Sequence, residues 1–131
     1  MPTFSQNADI TSNSDRGVIH PGHPPIIESH VIKSGQGKLR AGCVLSAGTG
    51  DGAVLAVDAD QPTLVLIQDV DTNDSTQDKI IARCMMHGPC VRARLLSTAG
   101  DTPTVASDTL VSKLPLRGIY PVQSFDYSVM A

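Results

Sequence analysis

The chain has 131 residues, one domain's worth, with 40% hydrophobic but only 3% aromatic residues, no tryptophan and a net charge of −3. That balance carries no basic footprint for nucleic acid, no apolar run long enough to span a membrane as a helix, and, with three cysteines, no even-numbered disulfide framework. The start lacks a basic-then-apolar leader, so the expectation is a soluble protein made in the cytoplasm.

Twelve of the thirteen acidic residues are aspartate, with Glu28 the exception. Asp bonds to nearby backbone and favours turns, whereas Glu favours helices. With 11 Gly and 9 Pro, the composition predicts a mainly β fold with one short helix and an aliphatic core.

Residues 1–25, "MPTFSQNADITSNSDRGVIHPGHPP", follow neither helical nor strand periodicity. Prolines fix φ and remove donors, so Pro21, Pro24 and Pro25 predict an extended lead-in, separate from the body. We read 1–25 as an extended or disordered N-terminal arm, with Ile10, Val18 and Ile19 as its apolar contacts, and 26–131 as a single β-rich body.

The body opens with the β-branched run "IIESHVIK", followed by a "GQG" turn. In "KLRAGCVLS", Leu39, Ala41, Cys43 and Leu45 alternate with Lys38, Arg40 and Gly42, as in a half-buried strand. "AGTGDG" reads as a hairpin loop and "AVLAV" as its second strand. "TLVLIQDV" is a short apolar run, as in a strand buried on both faces. "DTNDSTQD" is a polar excursion before a long strand from Lys79.

In that strand Ile80, Ala82, Cys84 and Met86 share one face, but Val91, Ala93 and Leu95 share the other. The inward parity switches across His87-Gly88-Pro89. A one-residue slip reverses every side chain, so a β-bulge or tight turn must absorb a residue there. Gly88 and Pro89 suit such a turn, as do Gly42 and Gly118 elsewhere. Thr102 and Pro103 predict a helix start, and Ala106, Leu110 and Leu114 recur at fourfold spacing before Pro115, which predicts a helix near 103–114. "LRGIYPVQSF" predicts a closing strand.

Several stretches offer chemistry. Cys84, His87 and Cys90 are soft ligands within seven residues, but no second ligand pair completes a zinc site, and small buried hydrophobes around a bulge explain them better. Asp69, Asp71 and Asn73 match the first positions of a calcium loop. The sixth position holds Asp74 instead of glycine and the twelfth Ile80 instead of glutamate. "SGQGKL" fails as a phosphate loop, because Leu39 and Ile32 stand where Ser/Thr and glycine belong. His20 and His23 are bracketed by proline. No nucleophile, acid pair, metal site or cofactor motif is evident, so the expectation is not an enzyme.

The order of blocks nevertheless resembles a family. Gly35, Gly37, Leu39, Ala41, Gly42, Val44 and Leu45, then Leu66 to Asp71, then His87, Gly88 and Leu95, then Leu114, Gly118 and Ile119, look like the head decoration (cement) proteins of tailed bacteriophages, lambda type. The likeness spans roughly residues 30–122. It departs at Val65, where glycine is usual, and in the cysteine-rich strand. It implies a small β-barrel or β-tulip-like body and a homotrimer on the outer surface of the virion capsid. The arm (Ile10, Val18, Ile19, Pro21, Pro24, Pro25) would order against the major capsid protein. The alternative is a small metal- or thiol-dependent protein using Cys84, His87 and Cys90.

Overall fold

A computed structural model describes residues 17–20, 24–48 and 50–123. Eight strands follow in chain order: β1 (Ile26–Ile32), β2 (Lys38–Leu39), β3 (Val44–Ser46), β4 (Val54–Leu55), β5 (Leu64–Leu66), β6 (Val70–Asp71), β7 (Ile80–Val91) and β8 (Ile119–Val122). Among the described residues the single α-helix, α1, is Asp108–Val111, and 3-10 turns occupy Arg92–Arg94 and Leu114–Arg117. The main sheet runs β1-β7-β5-β3-β4, with β8 added to β7; β2 and β6 form a separate two-stranded ribbon. All pairings are antiparallel except β7 with β8. The protein is mainly β with one short helix, as expected.

Both faces of the main sheet carry a core, though the outer face is bare around Val31 and Ile81. The inner face gathers Ile32, Leu39, Cys43, Leu45, Ala53, Leu64, Leu66, Ile80, Ala82 and Cys84 into one core. Nearly all of these lie on or beside the five strands, at alternating positions, because side chains on a strand point to opposite faces. The outer face carries a second core, with Val44, Val65, Met85 and Cys90 from the sheet and Val18, Ala106, Leu110, Leu114 and Ile119 laid over them. The "LVL" run is thus buried on both faces: Leu64 and Leu66 go in, and Val65 goes out.

The parity switch in β7 is a bulge. Ile27 faces Met85 and Ile26 faces His87, so Met86 is the extra residue. Even-numbered Cys84 points into the inner core, while even-numbered Cys90, beyond the bulge, points into the outer one. The strand then ends at Val91, which leaves Ala93 exposed in a turn and only Leu95 buried.

Three expectations need correction. Residues 18–20 belong to the body: Val18 is fully buried, Ile19 bridges Cys90, and His20 N donates to Pro89 O while Val91 N donates to Val18 O. Val18 therefore fills this chain's own outer core and Ile19 packs against it, instead of both being reserved for an outside surface. Of the other expected arm residues, Pro24 is exposed, Pro25 half-buried, and Ile10 and Pro21 lie outside the described residues.

The helix expected near 103–114 shrinks to α1. Val105 bridges Leu96, Ser97 N bonds to Thr104 O and Ala106 N to Leu95 O, so residues 104–106 are held extended, and Ser107 becomes the cap by accepting from Leu110 N. Pro115 opens a second helical turn instead of ending the first. "KLRAGCVLS" is two strands, because the chain turns at Arg40–Cys43. The described residues form two open sheets. β1 and β4 meet at one bridge, Ile32 with Ala53.

Candidate interaction surface

The thiols come first, because they would carry any redox or metal chemistry. Cys84 and Cys90 lie six residues apart on one extended strand, which separates them by about 20 Å. They also point into different cores, and His87 between them is exposed. Cys84, His87 and Cys90 are therefore not brought together. Burial pushes the thiols of Cys84 and Cys90 up to about 12 and that of Cys43 to about 11. A thiol so hard to ionise is a poor ligand and a poor nucleophile. Among the described residues, no three His, Cys, Asp or Glu side chains gather into a metal-binding group.

The aspartates of the polar excursion build turns. Asp69 Oδ1 accepts from Ala41 N, Asp71 Oδ1 from Asn73 N, and Asp74 Oδ1 from both Thr76 N and Thr76 Oγ1. The Thr76 bonds, led by its hydroxyl, hold the Asp74 carboxyl below its ordinary range. Backbone donors thus occupy carboxylate oxygens that a calcium loop would need for its ion.

The turn glycines sit at joints. Gly42 has φ +108, and a Cβ there would stand 2.1 Å from Arg94 O. Its N–H donates to Leu66 O and its carbonyl accepts from Leu96 N, so it ties β5 to the segment after β7. Gly118 has φ +82, and a Cβ would meet the His87 ring at 2.4 Å. That ring lies edge-on to Tyr120, with centroids 6.0 Å apart. Gly88 approaches Pro25 closely and donates to Gly118 O, while Pro89, which lacks a donor, contributes its carbonyl to His20.

Two polar residues missed in the sequence hold the open side of the sheet. Gln36 Nε2 donates to Lys33 O and Ala53 O, and its Oε1 accepts from Leu55 N. It joins the end of β1 to β4 beside the Ile32–Ala53 bridge. Thr72, buried, donates to Gly37 O and accepts from Gln36 N, which locks the "GQG" turn against the loop after β6. The only sequence hint was the turn composition around Gln36.

Away from that stitch the two edges part. Ala53 N donates to Val31 O and Lys33 N to Ala53 O. Strand alternation then turns the N–H and C=O of Ile27 and Ser29 to the same outer edge. No described strand pairs with them there. Beside this edge lies a groove of about 590 Å³ whose lining includes His30, Val31, Ala53, Leu64, Met86 and Arg117. His30 Nε2 is buried with no hydrogen-bond partner among the described residues. On the neighbouring surface Ile26, Val31, Ile81 and Tyr120 are exposed. An unpaired strand edge next to apolar side chains is the arrangement that accepts another strand.

No family model, no curated protein and no solved structure matches this chain. No helix among the described residues is long and apolar enough to cross a membrane.

Proposed function

We propose that this protein is a non-catalytic structural component that binds the outside of an expanded phage capsid as a trimer, clamping neighbouring capsid subunits and stabilising the shell. The carrying observation is that the glycines of the resembling blocks occupy required backbone positions. Gly35, Gly37, Gly42, Gly88 and Gly118 all have positive φ, and Gly42 and Gly118 leave no room for a Cβ. Glycines that hold such positions in the order of the blocks support this reading.

The finer description of the body is a small tulip-like β-barrel. Its support is the inner core drawn from β1, β7, β5 and β3 with Ala53 beside β4, and the Ile32–Ala53 bridge reinforced by Gln36. The arm is shorter than the composition indicates and consists of residues before Gly17. Binding only the expanded lattice stabilises it by linkage, and three arms on one trimer raise affinity through effective concentration. Assembly would take place in the host cytoplasm and leave the protein on the virion surface.

The test is co-sedimentation with expanded shells of the cognate major capsid protein. Saturable binding that raises the shell's melting temperature is expected, and removal of residues 1–16 should abolish it. Absence of binding by the full chain overturns the proposal.

A further inference from the structure

We propose that Asp51 is a site of spontaneous covalent modification: the Gly52 nitrogen closes on its carboxyl as a succinimide, which reopens as isoaspartate and loosens the joint between β1 and β4.

Asp51-Gly52 is the only place in the chain where glycine follows an aspartate or an asparagine. Glycine has no side chain to obstruct attack on the preceding carboxyl, and its backbone rotates freely. Hydrogen bonding separates Asp51 from the other acids. Asp71 and Asp74 are tied to backbone N–H groups two residues on, and Asp101 and Asp108 are paired with arginines. Among the described aspartates only Asp51 and Asp78 have carboxylates without a hydrogen bond or ion pair. Asp78 precedes Lys79, whose side chain crowds the attacking nitrogen. Asp51 is exposed to water, and the Gly52 N–H has no acceptor among the described residues.

In the first step the Gly52 amide loses its proton and its nitrogen bonds to Asp51 Cγ. The carboxyl gives up its hydroxyl, so one water leaves. In the second step one water adds back to the ring. Opening at Cγ restores aspartate. Opening at the Asp51 main-chain carbonyl breaks the original peptide bond, so the chain runs through the side chain with one extra methylene and a free α-carboxylate. Water is the only co-reactant.

The extra methylene enters a backbone with little slack. A Cβ on Gly52 would stand 2.7 Å from Lys33 N and 2.9 Å from Val31 O. The next residue, Ala53, donates to Val31 O and accepts from Lys33 N. Gln36 binds Ala53 O and Leu55 N from the same side. A lengthened chain therefore pushes Gly52 and Ala53 away from the end of β1.

The folded full chain is aged in warm, mildly acidic buffer, and isoaspartate is located by electron-transfer mass spectrometry. Methyl transfer from S-adenosylmethionine by an isoaspartate-specific methyltransferase counts it. Isoaspartate should accumulate at Asp51 faster than at any other aspartate, and Asp51→Glu, which would need a larger ring, should lose that signal. In the isomerised fraction, separated by ion exchange, the Lys33, Ala53 and Leu55 amides should exchange hydrogen severalfold faster than in fresh protein. An Asp51 that stays intact, or isomerises only in urea, overturns the site. Isoaspartate at Asp51 with unaltered exchange at those three amides overturns the loosening.

Discussion

The two cores on either face of the main sheet are built differently. The inner one is made by strands: Leu45, Leu64, Leu66, Ile80, Ala82 and Cys84 reach it by plain alternation. The outer one is assembled from remote pieces, because Val18 and Ile119 reach it from opposite ends of the described chain and Leu110 and Leu114 from short helical turns. Both cores need distant strands or segments brought together, but the inner one is filled by alternation within each strand, and the outer one by pieces with no shared period. One layer should form and persist without much help, and the other should be the first to open.

The largest effect should come from breaking the joint between them. Gly42→Ala places a Cβ against the Arg94 carbonyl in a backbone region that disfavours it. We expect a loss of more than about 3 kcal/mol, read as a fall in the urea midpoint or failure to fold. Next in size, Leu66→Ala in the inner core and Leu114→Ala in the outer should each cost about 2–5 kcal/mol, as both side chains are fully buried. Hydrogen exchange should separate them: Leu114→Ala speeds exchange first at α1, β8 and residues 18–20, while Leu66→Ala speeds it throughout. Equal patterns would erase the distinction between the cores.

Deletion sharpens the same contrast. Removing residues 1–16 should leave the melting temperature nearly unchanged. Extending the deletion through His20 removes Val18 and two backbone bonds to β7, and should cost roughly 2 kcal/mol or more.

Alkali probes both cores together. Folding raises the Cys84 and Cys90 thiols from 9.0 to about 12 and Cys43 from 9.0 to about 11. A raised folded pKa means that this stability is fully present below pH 9 and lost as pH climbs from there through 11 to 12. The urea midpoint should fall steeply in that window, and less so in a Cys84→Ala variant. The smallest effect belongs to Thr76→Ala, which should return the Asp74 carboxyl toward its ordinary range by NMR titration without moving the melting temperature.

The contrast also explains what could be read from residues alone. β1, β5 and β7 were legible because β-branched runs and alternation act within a few residues. The register slip was legible for the same reason, though it falls at Met86, one residue before His87. Val18 was not legible, because its burial depends on Pro89 and Val91 some seventy residues away. Nor was the true start of α1, where bonds from Ala106 to Leu95 and from Val105 to Leu96 overrule a good capping signal at Thr102. Gln36 looked like a turn residue. Only the approach of β4 gives its amide three partners.

That amide has a mechanical meaning. A sheet rim stitched at one end by two backbone bonds and one side-chain amide behaves like a clothes peg, in which the spring at one end sets the gap between the jaws at the other. The spacing between β1 and the loop before β4 is set where Gln36 and the Ala53 backbone meet the end of β1, so whatever enters the mouth does so against a preset width and need not force the jaws apart.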